Sequence, residues 1–286
     1  MTQPRFRALC RLCLLAPILA LSACGVAGTS GSPGSGDLAH ATGATDLILR
    51  SDSEGGFVAP GFLATEAPTF SLYGDGTAIF RDPQDAAPLP QSSADPIIRG
   101  VPFQIAHLTE VQVQALLAFA LDAGGLRTAA DHYDRPIADA PTSVLTIDAG
   151  GIHKAVSVNG LGIDAATGAD GAILTKLAAL AARLQGFASE VPDEAPWTPD
   201  RYRGILSEDA FTSPVPWPWP TIAPAEFVQR AGSNAPPFPI RTMTPAEVAR
   251  LGVAGFEGGL QGVSLKASSG KVYSFRLRPL LPDEPF

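Results

Sequence analysis

The sequence predicts an α+β fold in which antiparallel sheets carry helices packed on one face. Three patterns lead to this prediction: alternating apolar strands, glycine turns between pairs of them, and amphipathic helices with readable ends. They follow one another as strands, helix, hairpin and helix, an order that suits an antiparallel sheet covered on one side. With 45% hydrophobic residues, 29 Gly and 27 Pro, the composition is that of a globular protein rich in turns.

The first strands are predicted between residues 46 and 80. Residues 46–50 form a short apolar run, and Phe70 and Leu72 alternate with polar residues before a Gly-Asp-Gly turn centred on Asp75. An Asp-Gly pair between alternating runs indicates a hairpin, because glycine accepts the positive φ that a tight turn demands. Asp75 is therefore interpreted as a turn residue and not as an acid catalyst.

Two helices have ends that the sequence marks. Thr109 and Gln112 form a predicted capping box, and a Gly-Gly pair ends the helix that follows them. A second hairpin is predicted over 144–158 and a second amphipathic helix over 171–187. We expect an apolar stripe on the buried side of that second helix: Ile173, Leu177, Leu180 and Leu184.

A shorter version of the same order follows residue 224. The stretch 237–248 parallels 102–113, and Thr244 with Glu247 repeats the capping box. A hairpin follows the helix in both places. These parallels predict two related α+β units, although strand–helix–hairpin is also a common order in unrelated proteins.

The last hairpin is predicted around a turn at 268–270. Val263 and Leu265 on its first strand, and Phe275 and Leu277 on its second, alternate towards the core. The positions between them on the second strand are expected to form an ordinary solvated face: Ser274, Arg276 and Arg278.

Composition divides the chain into five predicted segments. Residues 1–23 are a signal peptide and 24–44 are a lipidated, flexible tether rich in Gly, Ser and Ala. Residues 45–190 form the main α+β domain, 191–224 a Pro/Trp-rich connector, and 225–286 a smaller C-terminal α+β unit.

The N-terminal leader has the parts of an export signal. A positive stretch with three arginines and no acid precedes an apolar run (12–21), which is too short to span a bilayer of about 30 Å. The run ends in Leu21-Ser22-Ala23-Cys24, which resembles the lipobox of bacterial lipoproteins. This resemblance implies that Cys24 carries a diacylglyceryl group and that the leader is cut before it. An ordinary signal peptidase site is the alternative.

Charge and cysteine content exclude several classes of protein. Without the three arginines of the leader, 17 basic residues face 28 acidic ones, a net charge of −11. So acidic a body repels phosphate backbones, and no nucleic acid is expected as a partner. All three cysteines lie at or before position 24. The body is therefore predicted to lack disulfides and catalytic or metal-binding thiols.

The densest group of potential metal ligands comprises Asp131, His132, Asp134 and Asp139. Carboxylates and an imidazole suit a divalent cation. The spacing matches no EF-hand loop, and the alternative is a solvated loop whose aspartates cap turns and pair with Arg135.

A second unusual stretch contains Trp217 and Trp219. Prolines at alternate positions from 214 to 220 impose an extended chain, which presents the two indoles to different sides. One interpretation is an exposed aromatic patch for a protein, glycan or membrane partner. The alternative is a stiff connector whose tryptophans pack back onto the two halves that it joins.

Motifs across the chain resemble those of uncharacterised lipoproteins from GC-rich bacteria, actinobacteria especially. The matching runs are Gly55–Pro60, Pro68–Gly76 and Ala138–Thr142. The resemblance implies a fold and a cellular address and brings no catalytic residue with it.

The sequence contains no recognised catalytic motif, neither a nucleophile elbow nor a phosphate-cradling glycine loop. We therefore expect a non-enzymatic binding or interaction protein of the cell envelope, on the extracytoplasmic side of the membrane. Its expected partners are the membrane, through the lipid on Cys24, and an envelope protein or glycan, and no cofactor is predicted. The alternative is an envelope hydrolase or metal-dependent enzyme that uses Asp131, His132, Asp134 and Asp139.

Overall fold

The computed structural model describes residues 37–89, 97–164, 168–208, 213–230 and 238–285. The predicted signal peptide, Cys24 and the tether up to residue 36 lie outside the described residues. Within the described ranges, an eight-stranded sheet and a five-stranded sheet accompany four short α-helices. The fold thus mixes both kinds of secondary structure, and strands dominate it.

The strands of the first sheet are β1 (Leu47–Gly55), β2 (Phe70–Tyr73), β3 (Thr77–Phe80), β4 (Gln104–His107), β5 (His132–Tyr133), β6 (Pro141–Ala149), β7 (Ile152–Asn159) and β8 (Ala195–Pro196). Their order in the sheet is β5-β7-β6-β1-β2-β3-β4-β8. Neighbouring strands are antiparallel except at one edge, where the two-residue β5 runs parallel to β7, so the predicted all-antiparallel arrangement is only approximate.

The helices are α1 (Pro60–Leu63), α2 (Glu110–Leu121), α3 (Gly171–Gln185) and α4 (Pro245–Ala249). Both predicted capping boxes are confirmed. The Gln112 amide donates to Thr109 Oγ1, and the Thr109 amide donates to Gln112 Oε1 at 2.8 Å. Thr244 and Glu247 make the same reciprocal pair at the start of α4. These bonds satisfy amides that a helix start otherwise leaves unpaired.

The first core lies between the first sheet and helices α2 and α3. Leu116 and Leu117 of α2 are buried in the same apolar cluster as Leu177 and Leu180 of α3. On α3 the stripe is shifted from the prediction, because Leu174 is buried whereas Ile173 is only half-buried.

The strands of the second sheet are β9 (Tyr202–Ser207), β10 (Val215–Pro216), β11 (Ile240–Met243), β12 (Leu260–Lys266) and β13 (Val272–Pro279). Their order in the sheet is β10-β12-β13-β9-β11, again antiparallel except for a two-residue parallel edge pair, β10 with β12. Strand β9, which lies between β13 and β11, belongs to residues 191–224, so this segment is not a plain connector.

Both faces of β13 are buried, which corrects the predicted solvated face at Ser274, Arg276 and Arg278. Arg276 is 4% exposed and Arg278 is 6% exposed. These side chains are buried by tertiary contacts, because residues in and next to α1 pack against this face of β13. A Cβ placed on Gly61 would approach the Arg276 guanidinium carbon to 2.4 Å, and Arg278 Nε donates to the Glu66 carbonyl. A sequence pattern reports alternation along a strand but not what covers its second face.

The last residues of the chain join the two sheets. Leu281 is fully buried in a cluster with Tyr73 of β2. Beside it, Arg50 of β1 pairs with Asp283 at 2.7 Å, and the Tyr73 hydroxyl donates to the same carboxylate. Arg278 of β13 contacts both oxygens of Glu284 at 2.7 Å. Ion pairs and apolar contacts therefore connect the second sheet to the first.

The described end of the predicted tether is packed, so the prediction of a flexible segment up to residue 44 is wrong for residues 37–44. The Leu38 amide donates to Gln114 Oε1, and the Gly150 amide donates to the Ala39 carbonyl. The His40 side chain is 4% exposed and lies 3.1 Å from Glu110. Backbone hydrogen bonds to α2 and the β6–β7 turn order this stretch, which a Gly/Ser-rich composition does not reveal.

Candidate ligand-binding pocket

The predicted metal cluster does not assemble, and the metal prediction is wrong. Asp131, Asp134 and Asp139 are exposed to solvent. The His132 Nδ1 atom lies 2.7 Å from the Ser157 hydroxyl, and its Nε2 atom lies 3.4 Å from Asp134 alone. Within the described ranges, no three histidine, cysteine or acidic side chains converge on one point. The loop spreads its carboxylates in water, and closeness in sequence does not bring them together.

The two tryptophans do not form an exposed patch, so that interpretation is also wrong. Trp219 is 2% exposed, and its Nε1 donates to the Glu247 carbonyl at 2.7 Å. Trp217 is half-buried, and its Nε1 donates to the Ile222 carbonyl at 2.7 Å. Both pack into the second core, as the alternative interpretation expected, but onto the second sheet rather than between the two halves.

A cavity of about 450 Å³ opens beside the end of β9 and the start of β13. Its size falls in the range of roughly 300–1,000 Å³ that is typical of pockets for small molecules. Most of its wall is apolar and aromatic: Leu206, Pro224, Phe227, Phe238, Pro239 and Tyr273.

Local structure fixes these wall residues. The Leu206 amide donates to the Pro239 carbonyl at 2.9 Å, which holds β9 against the chain that leads into β11. Phe227 follows a short 3-10 turn at Pro224–Glu226, and Glu226 caps this turn by accepting from the Ala223 amide at 2.7 Å. The walls therefore belong to hydrogen-bonded backbone, which favours a preformed pocket.

Trp217 forms a second layer behind the pocket. Its ring centroid lies 6.2 Å from that of Phe227 and 6.2 Å from that of Tyr273, both in edge-to-face orientations. Such contacts stabilise aromatic clusters beyond simple burial. The contact also places an indole chromophore directly beside the pocket wall.

Glu208 is the one charged residue among those described along the wall. The Lys271 ammonium lies 2.5 Å from its carboxylate and 5.3 Å from the centroid of the Tyr273 ring. The hydrogen bond to Glu208 raises the pKa of Lys271, which keeps this group protonated. The rim therefore already holds a cation between a carboxylate and an aromatic face.

The other polar wall residue, Ser207, is bound to a buried cation. Arg276 Nη1 donates to the Ser207 hydroxyl at 2.7 Å. A guanidinium remains protonated and cannot serve as a general base for this hydroxyl. The nine described wall residues include no histidine or cysteine, and their polar side chains are those of Ser207, Glu208 and Tyr273.

No sequence pattern marks the residues of this pocket as a site. Phe227 and Phe238 belong to different segments around the second sheet, and nothing in their spacing brings them together. A weak signal was present, because Glu208 follows directly on the apolar run of β9 and so marks a carboxylate at a strand end.

Comparisons of the chain with protein-family models, with curated proteins and with solved structures find no match. The helices of the described residues include none with the length and apolar character needed to cross a membrane. The geometry of the pocket and the leader sequence are therefore the features of this chain that bear on its function.

Proposed function

We propose that this chain is a lipid-anchored, extracytoplasmic binding protein whose second sheet holds a small, largely apolar ligand with a positively charged group. The observation that carries the proposal is the rim of the pocket, where an ammonium lies between Glu208 and the face of Tyr273. A ligand cation that replaces Lys271 there would gain the same carboxylate and ring face. Its apolar part would contact Phe227, Phe238 and the proline walls.

Charge supports a cationic ligand over an anionic one. The single charged wall residue described is acidic, and the chain carries a net charge of −8. Such a field attracts cations and repels anions during encounter. An aromatic amine is therefore favoured over an aromatic acid of the same size.

Titration calorimetry of the full chain with phenethylamine, and with phenylacetate as the matched anion, tests this proposal. We expect saturable binding of the amine and roughly tenfold weaker binding of the acid. Glu208→Gln should weaken the binding of phenethylamine about tenfold, because a charged hydrogen bond becomes a neutral one. Lys271→Met should strengthen the binding, because the competing ammonium group is gone.

Lys266→Met is the matched control, since Lys266 is an exposed lysine of the same hairpin that does not belong to the pocket wall. It should leave the affinity for phenethylamine unchanged. Equal binding of the amine and the acid, or equal effects of the two lysine variants, would contradict the proposal.

The lipid anchor is proposed from the leader and from Cys24. Cys24→Ala should move the chain from the membrane fraction to the soluble extracytoplasmic fraction and abolish labelling by a radioactive fatty acid. Cys13→Ala lies in the leader and serves as the control, which should change neither result. Retention of label in the Cys24 variant would contradict the proposal.

We also propose that the two sheets are related α+β units. In both, a capped helix precedes a hairpin, and a two-residue edge strand runs parallel to the outer hairpin strand. One difference weighs against a simple duplication, because β1 pairs with the first hairpin strand, β6, whereas β9 pairs with the second, β13. Superposition of β9, β13 and β12 on β1, β6 and β7 tests the relation, and a poor Cα fit would contradict it.

A further inference from the structure

A second cavity, of about 270 Å³, lies between the first sheet and α3, away from the pocket described above. One side is formed by β1 and β6 and carries Ser51, Ser53 and Ser143. Ser53 and Ser143 are directly opposite in the antiparallel register, and Ser51 lies two residues before Ser53. The three serines therefore share one face of the sheet. We refer to this cavity as the serine cleft.

The serine cleft contains hydroxyl groups without partners. Ser51 is 8% exposed, and no described residue forms a hydrogen bond with its hydroxyl or with those of Ser53 and Ser143. Ser53 and Ser143 are half-buried, so the three hydroxyls are open to the cleft, where water or the hydroxyl of a ligand can pair with them. Thr69 adds a fourth hydroxyl, which already donates to the Ser51 carbonyl at 3.2 Å.

The opposite side of the cleft is formed by helix α3, mostly by small side chains. Ala178, Ala181 and Ala182 of α3 line it, and Gln185 lies one turn further on at the same side. Methyl groups leave space that a larger residue would fill, and they offer an apolar surface to the carbon atoms of a ligand. The Gln185 carboxamide, which is exposed, supplies a further donor and acceptor.

Charge on the cleft wall limits the class of ligand. Asp52 is the one ionisable side chain among its described residues, and its carboxylate accepts from the Ser53 amide at 2.8 Å. No lysine or arginine lines the described wall, so a phosphate or carboxylate would find no charged donor. A hydroxyl both donates and accepts, and it therefore pairs best with other hydroxyls.

We propose that the serine cleft binds a neutral, hydroxyl-rich ligand the size of one sugar ring. The volume equals that of about nine water molecules at ~30 Å³ each, enough for a single ring but small for a drug-sized molecule. The ligand hydroxyls pair with Ser51, Ser53 and Ser143, and the ring carbons lie against the alanines of α3. This site is independent of the pocket lined by Phe227, Phe238 and Tyr273, which we call the aromatic pocket.

The expected affinity is weak. Each neutral hydrogen bond adds little net free energy, and none of the described wall residues has an aromatic ring on which a sugar could stack. A dissociation constant of about 1 mM is therefore expected for a simple glycoside.

The test is a calorimetric and NMR titration of the full chain with methyl glucoside and with methyl phosphate, each up to about 50 mM. We expect saturable binding of the glucoside and none of the phosphate. The double variant Ser53→Ala, Ser143→Ala should weaken the binding of the glucoside at least about fivefold, because two hydrogen bonds are lost. Ala182→Leu should abolish binding by filling the cleft.

Ala179→Leu is the matched control, because Ala179 is equally exposed on α3 but does not line the cleft. Alanine and leucine are both good helix formers, so both variants should fold. Glu208→Gln should leave glucoside binding unchanged, which separates this site from the aromatic pocket. Absence of saturable binding, preference for methyl phosphate, or equal effects of Ala179→Leu and Ala182→Leu would overturn the proposal.

Discussion

The two sheets are covered on their core faces by different kinds of structure. Over the first, α2 and α3 supply regularly spaced leucines to one large apolar cluster. Over the second, α4 has only five residues and buries Val248 alone. The extended Pro/Trp segment supplies a further part of that cover, and its Trp219 ring lies 5.2 Å from that of Phe275. Residues outside the segment, among them Phe227 and Phe256, supply the remainder.

This difference explains why the aromatic pocket lies where it does. A helix places an apolar side chain on the sheet every three or four residues and so covers it evenly. An extended segment instead contributes a few large side chains, with gaps between them. The second core therefore depends on individual aromatic residues such as Trp219 and Phe227, and the space beside Phe227 remains open as the pocket.

Trp219→Ala is expected to have the largest effect, because it removes a buried indole from the cover of the second sheet. We expect a loss of about 3–5 kcal/mol in the free energy of unfolding, measured by urea denaturation. Val215→Ala, at an exposed valine of the same segment, should cost well under ~1 kcal/mol. If Trp219→Ala lowered the free energy of unfolding as little as Val215→Ala does, the segment would be only a connector.

Arg278→Met should cost slightly less, about 2–4 kcal/mol in urea denaturation. It leaves Glu284 as an unpaired, mostly buried carboxylate between the two sheets. Arg127→Met breaks an exposed pair with Asp122 and should cost no more than about 1 kcal/mol. If both changes had the same small effect, the ionic junction between the sheets would not contribute to stability.

The two capping boxes offer a matched comparison of a long helix with a short one. Thr109→Ala and Thr244→Ala should each cost about 1 kcal/mol, since each removes the side-chain acceptor of a first-turn amide. Thr→Ser at the same positions keeps the acceptor and should cost less. No loss on Thr244→Ala would mean that packing alone holds α4 in place.

Asp52→Asn is expected to have the smallest effect, an increase in stability at pH 7. Burial raises the pKa of Asp52 above its ordinary value of 3.8. The folded state therefore binds a proton more readily than the unfolded state, and ionisation of Asp52 lowers stability as the pH rises through that raised pKa. Melting temperatures from pH 3 to pH 8 should show the gain at neutral pH and its disappearance near the ordinary pKa. A gain that persists at low pH would contradict this explanation.

Features fixed within a few residues were predictable from the sequence. The box at Thr109 and Gln112 forms because a side chain reaches an amide three residues away, and the Asp75 carboxylate caps its own turn by accepting from the Thr77 amide. Neither depends on the rest of the chain. The same holds for the hairpin of β6 and β7.

Features that depend on what covers an element were not predictable. Arg276 alternates with Phe275 as an exposed strand residue would, but Gly61 of the other unit lies against its guanidinium group and helps to bury it. The indole of Trp219 is buried against Phe275, and the carbonyl of Glu247 in α4 accepts a hydrogen bond from its Nε1. Both pairings join residues that are far apart in sequence, where local patterns carry no information.

The pairing of β1 with β6 also bears on how fast the protein reaches its native state. Leu49 pairs with Ile147, so the middle of the first sheet closes only after a very long loop has been ordered. Proteins with high contact order fold in milliseconds to seconds, because loop entropy is lost before distant contacts compensate for it. During that interval each of the two strands has an unpaired edge, and such edges make an incomplete sheet prone to pair with other chains.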